Sequence, residues 1–371
     1  MWISQSLKWA KSMWISPGDR DRPGPAAYNQ PMQENPETLT GPQERPDDSY
    51  GRFSTGILPS HVLARLIEQG REITASEPFA HGQIQPASID LRLGPVAWRV
   101  RASFLPGPGA TVKDKLAHVF MHEIDLGEGA VLEAGCVYIV PLLERAAFSA
   151  RISGGANPKS STGRIDVFTR LITDQAIAFD RVVAGYHGPL YAEICPQTFP
   201  VLVRKGSRLS QLRIRHGSPQ FSDSALRRLH EQKALVAMDD GKGEPSIEGG
   251  LALSIGLKGG ADAAGRIGFR AKRHTGLIDV DRVGALDPRD FWEPILANHR
   301  GDMVLDPDEF YILVSRERVA IPPDHAAEMV PFDPLVGEFR VHYAGFFDPG
   351  FGYAPARPPG ARAVLEVRSR E

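Results

Sequence analysis

Cysteine is almost missing from this chain: Cys136 and Cys195 are the whole supply among 371 residues. Two thiols at that length build no disulfide framework and point to a reducing, cytoplasmic setting. Long hydrophobic runs are missing as well, so no membrane-spanning helix is expected. The opening stretch MWISQSLKWAKSMWISPG has no apolar core of the kind a secretory signal carries, and it repeats MWIS at Met1 and Met13. Charge of one sign is lacking too, since the formal net charge is −2. That balance argues against binding a nucleic acid polymer through bulk positive charge. It leaves room for a local cationic pocket that holds a small anion.

What is present reads as a folded protein with 42% hydrophobic and 24% charged residues, long enough for two domains with real cores. Residues 1–55 are the exception. Their stretch DRDRPGPAAYNQPMQENPETLTGPQERPDDSYG is rich in Pro, Gly and polar residues and is expected to be a disordered tail. Folded sequence begins near Gly56. GILPSHVLARLIEQGREI predicts a short helix with Ser60 as N-cap and Gly70 as the stop. QPASIDLRLG (85–94) alternates as a strand does, and short strands separated by turns follow to about 216. A second helix is expected over 224–232 with Ser224 as its cap, and then a polar link over 238–250.

After the link the pattern starts again. LALSIGLKGG (251–260) lies over ASIDLRLGPV (87–96), and MVLDPDEFYILVSRERVAI (303–321) over AVLEAGCVYIVPLLERAAF (130–148). PLVGEFRVHYAGFFD (334–348) lies over SSTGRIDVFTRLITD (160–174). Each copy then reaches a glutamate in a strand, Glu193 in LYAEI and Glu366 in AVLEV, at spacings 193 − 174 = 19 and 366 − 348 = 18. Two tandem β-domains are therefore expected, 56–237 and 251–371. After Glu193 the first copy continues CPQTFPVLVRKGSRLSQLRI, whereas only five residues follow Glu366. The second copy is expected to lack those two strands, leaving an edge that is open or filled by a neighbour.

The stretch NPKSSTGRID (157–166) carries the chemistry of an anion site. Lys159, Ser160, Ser161, Gly163 and Arg164 offer ammonium, hydroxyl, backbone N–H and guanidinium donors over one turn. The plain alternative is a solvated turn, because Ser, Thr and Gly are common there. A P-loop is excluded: GGANPKSS has Pro158 where the second glycine belongs, and a strand-like run follows. Glu193 and Glu366 read by pattern as exposed strand residues, or as buried carboxylates of raised pKa that could move protons.

Taken in order, GILPSHVLARLIEQGREI, QPASIDLRLG, KSSTGR, VLVRKGSRLSQLRI and AGFFDPGFG…AVLEV resemble the dCTP deaminase and dUTPase superfamily over about 56–371, most of all dCTP deaminases of a long bacterial form with a duplicated domain. The resemblance implies a mainly β protein, two tandem dUTPase-like β-clip domains (distorted β-barrels) with a few short helices. It implies a homotrimer with sites between neighbouring domains, and hydrolytic deamination of dCTP to dUTP and ammonia for pyrimidine deoxynucleotide supply. Lys159, Ser160, Ser161, Gly163 and Arg164 would then hold the phosphates. His342, Ala344, Asp348 and Gly350 would recognise base and sugar, and Glu193 or Glu366 would be the general base. Mg²⁺ would enter only through the triphosphate. No zinc is expected, because the chain lacks the paired H-x-E and P-C-x-x-C sets of zinc deaminases; HEI at His122 and HEQ at His230 stand alone.

The two copies are unequal. Where the first has SSTGR, the second has PLVGE, whose Glu338 would repel phosphate. The second keeps HYAGFFDPGFG, where the first has FTRLITDQAIAF. A composite site is the expectation, with phosphates on 160–164 of one copy and the base beside 342–352 and Glu366 of another. The rival is a first-copy site built on Glu193. Other functions compatible with the same residues are dUTP diphosphohydrolysis, both reactions in sequence, or non-catalytic nucleotide binding. Arg92, Tyr186 and His187 are secondary candidates, and Asp287 with Pro288 predicts a helix start that makes Phe291 and Trp292 core residues.

Overall fold

The computed structural model describes residues 2–3, 8–15, 55–239, 245–258, 265–330, 340–341, 345–353 and 360–368, with backbone alone for 2–3, 8–15 and 340–341. The protein is mainly β with a few short helices, as the alternating pattern predicts. In the first half, α1 (Ser60–Glu68) precedes β1 (Ser88–Leu91), and α2 (Val112–Val119) precedes β2 (Val137–Ala147) and β3 (Ile152–Pro158). One helical turn, α3 (Ser160–Gly163), leads into β4 (Val167–Thr173), β5 (His187–Pro196) and β6 (Ser210–His216). Two sheets face each other. In one, β4, β5 and β2 run side by side; in the other, β3, β6 and β1. Their inward residues, among them Leu91, Val140, Ala192, Leu212 and Phe148, form a single core.

The second half begins earlier than the sequence suggests. α4 (Asp223–Lys233) buries Leu226 and Leu229 in the second core, together with Leu235 and Val236. Its cap is Ser222, whose hydroxyl accepts from the Ala225 N–H at 3.3 Å, not Ser224. The expected link over 238–250 also contains a short strand, Ser246–Ile247, paired with β7 (Leu251–Ser254). α5 (Pro288–Phe291) has Asp287 as its cap, as expected. It is followed by β8 (Phe310–Val319), β9 (His325–Val330), β10 (Phe346–Phe347) and β11 (Ala361–Arg368). In the first half, Ser60 is the first helical residue of α1 and Pro59 the cap, so its hydroxyl caps nothing. The unexpected α2 is held by a capping box between Thr111 and Asp114.

Strand register exposes the repeat. Ile139 faces Glu193 between β2 and β5, and Ile312 faces Glu366 between β8 and β11, so both members shift by 366 − 193 = 312 − 139 = 173. At the first strand of each copy the offset is different. Leu93 bridges Leu142, and Ile255 bridges Ser315, which sets Leu93 against Ile255. The overlay of 87–96 on 251–260 is therefore two residues out of step. A slip of two leaves every side chain on its own face, so alternation cannot detect it.

Residues Lys8–Ile15 correct the expectation of a wholly disordered tail. They form a strand between β7 and β9, with Trp9 opposite Leu253 and Ala10 opposite Val330. In the first half β6 holds the same place, with Ser210 opposite Leu91 and Gln211 opposite Asn157. The N-terminal strand thus occupies, in matching register, the slot that the second half does not fill with a strand of its own. The physical reason is that β7 and β9 would otherwise present two facing rows of unpaired backbone groups. KWAKSMWI, free of Pro and Gly, can pair with both, whereas the Pro-rich stretch after it cannot.

Candidate active site

β11 shows how the sequence builds one wall of a cleft. Ala363, Leu365 and Val367 point into the second core, while Arg362, Val364 and Glu366 line the opposite side. This is plain strand alternation. The floor comes from the turn Asp348-Pro349-Gly350-Phe351. The Phe351 N–H donates to the Asp348 carbonyl at 3.1 Å, and Gly350 has φ +86, which fits a type II turn with proline and glycine in their preferred places. Gly350 therefore shapes the turn that presents Asp348.

The facing wall belongs to the first half. Pro158 ends β3, Lys159 caps α3, and Ser160, Gly163 and Arg164 face Asp348, Phe346 and Glu366 across a cleft of about 280 Å³. The first N–H groups of α3 have no intrahelical acceptor, as at any helix start. Ser160 and Arg164 are exposed to the cleft. Lys159 forms an ion pair with buried Asp90, so its charge is already tied to the protein. The two walls are locked at one end: Arg368, next on the cleft face of β11, pairs with buried Asp166 and donates to Thr198 Oγ1 at 2.7 Å.

Burial sets the electrostatics. It pushes Glu366 from the ordinary 4.5 up to about 7, against the pull of the Arg164 guanidinium. Burial also raises Asp348, opposed by Arg213 and reinforced by Asp90. The cleft thus holds a carboxyl able to give and take a proton near neutral pH, together with an open guanidinium and a donor-rich turn. A second, mostly apolar hollow of about 370 Å³ shares Arg164 and Val364 and is walled by Trp292 and Phe269.

Comparison with known proteins decides the family. The family of the 2′-deoxycytidine 5′-triphosphate deaminase N-terminal domain matches residues 54–218, and that of its C-terminal domain matches 222–371. This chain belongs to the dCTP deaminase family. A solved dCTP deaminase structure from Agrobacterium tumefaciens is 57% identical, with a TM-score of 0.80 over 86% of this chain and 94% of that one. A curated dCTP deaminase from Haloarcula marismortui is 27% identical over 159 residues, 42% of this chain and 78% of the relative. The family boundary between 218 and 222 agrees with the packing of α4 into the second core.

Against that family background, the two glutamates part company. Glu193 is buried in β5 opposite Arg170 of β4. The Arg170 Nε donates to its Oε1 at 3.1 Å, a second guanidinium nitrogen pairs with the same oxygen, and the Arg170 carbon lies 3.5 Å from the Phe179 ring centroid. An ion pair thus holds one oxygen of Glu193, while the other, Oε2, is buried with no hydrogen-bond partner among the described residues. Ser160, Gly163 and Arg164 meet Glu366 in the cleft, Ser161 lines a neighbouring hollow with Arg208 and Asp279, and Glu193 lines neither.

Of the base- and sugar-binding candidates, Asp348 lines the cleft and Gly350 supports it, while His342 and Ala344, like 334–338, lie outside the described residues. Arg92 is structural: it is buried and donates to Glu144 Oε1 at 2.7 Å and to the carbonyls of Pro78 and Glu77. The Tyr186 hydroxyl donates to the Pro189 carbonyl at 2.8 Å within the first half, and His187 is exposed. Sequence reasoning placed Phe351 within the 342–352 stretch expected beside the base but missed Arg362 as a cleft residue. Counting back by twos from Glu366 along β11 finds Arg362 on the same face. Among the described residues no helix is long and apolar enough to cross a membrane.

Proposed function

We propose that this chain hydrolyses dCTP to dUTP and ammonia in the cleft between its two halves, with Glu366 as the proton-transfer group. The observation that carries the reading is the pairing of a buried carboxyl, raised to about 7, with the Ser160–Arg164 turn in one cleft. As carboxylate, Glu366 takes a proton from water while the oxygen attacks C4 of the cytosine. It passes that proton to N3, then takes the proton of the new C4 hydroxyl and delivers it to the exocyclic nitrogen, so that the C4–N bond breaks and ammonia leaves as the C4 carbonyl forms. One group with a pKa near working pH serves both directions of transfer. Ser160, Ser161 and Arg164 would take the phosphates, as hydroxyl and guanidinium donors do, and the substrate would arrive as its Mg²⁺ complex.

Lys159 contributes less in this reading, because Asp90 already holds it. The zinc-deaminase ligand sets are missing from the sequence, so the water is activated by the carboxyl alone. A homotrimer in the cytoplasm, supplying dUTP for deoxythymidine nucleotides, completes the proposal; sedimentation or light scattering reads the oligomer. The deciding experiment is ammonia release from dCTP by the parent protein, Glu366→Gln and Glu193→Gln. Loss with Glu366→Gln alone supports the composite site; loss with Glu193→Gln alone overturns it. Pyrophosphate release from dUTP would mark a diphosphatase instead.

A further inference from the structure

Arg213 sits on β6 of the first half, yet its contacts are with the second. Its side chain is 1% exposed. Nη1 donates to the Ala327 carbonyl of β9 at 2.9 Å, and Nη2 points to the Phe347 carbonyl of β10 at 3.4 Å. The guanidinium carbon lies 3.9 Å from the centroid of the Phe346 ring. Nη2 stands 3.7 Å from Asp348 Oδ1, an ion pair too long for a hydrogen bond. One guanidinium therefore grips Phe346, Phe347 and Asp348, three successive residues of the cleft wall, from behind, without lining the cleft itself.

This is a costly place for a charge. Burying a cation is unfavourable unless carbonyls and a carboxylate compensate it. Burial pulls Arg213 down to about 10, so it remains charged at neutral pH. The groups facing it are Asp348 and, more distantly, Glu328 and Arg215. Its planar fork reaches two carbonyls on different strands and one ring face at once, which an ammonium cannot reproduce. The Asp348 oxygen that faces it is buried with no hydrogen-bond partner among the described residues, whereas the side chain as a whole is 40% exposed and lines the cleft.

We infer that Arg213 is a positioning residue for the substrate: it fixes the 346–348 wall from the other half of the chain and keeps the Asp348 carboxylate aimed into the cleft for a hydroxyl or amino group of the nucleoside. The substrate part of this rests on the proposed deaminase reading; the positioning part does not.

The test uses the full chain and the variants Arg213→Lys and Arg213→Ala. Hydrogen exchange of the amides at 345–351 in ligand-free protein needs no nucleotide. It is expected to speed up about tenfold or more in Arg213→Lys while first-half amides away from β6 stay unchanged, the scale of losing hydrogen bonds to a charged group. Unchanged exchange there overturns the positioning claim, whatever happens with dCTP. With dCTP, KM is expected to rise about tenfold or more with kcat nearly constant. Asp348→Asn should add little on top of Arg213→Lys, and guanidinium in the buffer should lower the KM of Arg213→Ala. A variant whose wall loosens but whose KM is unchanged would sink the substrate role alone. A parent protein that never turns over dCTP would sink the deaminase reading and leave the exchange result standing. If Arg213→Ala does not fold, Arg213→Lys still decides the exchange and KM outcomes.

Discussion

Glu193 and Glu366 occupy the same place in two copies of one fold, and their chemistry is opposite. Each faces an isoleucine one strand away, Ile139 and Ile312. In the first half the neighbouring strand supplies Arg170, which pairs with one oxygen of the carboxylate. In the second half Arg164 arrives from the other copy, exposed at the cleft mouth, and burial dominates. The lesson is that the backbone fixes where a carboxyl stands, while a single neighbour decides whether it is a structural anion or a proton carrier. Duplication allows this division. In the proposed reaction one copy would hold the phosphates and the other would supply the acid, so that neither needs both.

The sharpest way to break the comparison is to neutralise each glutamate in turn. Glu366→Gln is expected to lower kcat for dCTP by about 10³-fold or more, in the range for removing a general acid–base. Glu193→Gln should leave kcat within severalfold and instead lower stability, because Arg170 would lose its buried partner. Steady-state ammonia release and urea unfolding on both variants read the two effects. Equal kinetic losses would mean that the halves are not divided in this way. Arg164→Ala comes next: without its guanidinium, kcat/KM for dCTP should fall about 10²-fold, while turnover at saturation falls less. An unchanged kcat/KM would remove the phosphate turn from the site.

A second difference between the halves is how each closes its sheet. The first uses its own β6; the second uses Lys8–Ile15. Removing residues 2–15 should therefore expose the facing edges of β7 and β9. A fall in Tm of roughly 5–10 °C is expected, since about 1 kcal/mol moves Tm by about 2–4 °C at this domain size. Concentration-dependent association should accompany it. A shortened chain with the parent Tm and no association would mean that the slot needs no strand.

Much of this was legible in the sequence because it is local. The Asp-Pro-Gly turn at 348–350, the α5 start at Asp287 and Pro288, and the donor-rich 160–164 turn are written in adjacent residues whose backbone preferences are strong. The repeat was legible too, since alternation survives in both copies. What escaped was pairing at a distance. That Arg170 meets Glu193, that Asp90 holds Lys159, and that Arg213 crosses between halves all depend on strand register and domain packing. α2 escaped because its capping box uses Asp114 in place of the usual glutamate or glutamine over a short helix. The N-terminal strand was hidden by the Pro-rich stretch that follows it, and its partners lie far off in sequence.

The smallest effect separates site from scaffold most cleanly. Between the ordinary 4.5 and about 7, folded protein holds a proton on Glu366 that the unfolded chain releases. The folded state binds more protons in that window, so stability falls as pH rises through it. The full penalty is reached above about 7 and amounts to up to about 3 kcal/mol, less where water enters the cleft. Asp180, also raised to about 7 by burial, shifts stability in the same direction, but it is present in both proteins and cancels in their difference. Glu366→Gln cannot ionise, so it should be more stable than the parent at pH 8 by a margin that shrinks toward pH 5, although it is the variant with the least activity. In the parent, kcat/KM should fall as pH drops below about 7, because the carboxylate form takes the proton from water. Urea unfolding at pH 5 and 8 gives the first result and a pH–rate profile the second. A stability gap that does not change with pH would show that Glu366 carries no displaced proton, and the contrast with Glu193 would then lose its physical basis.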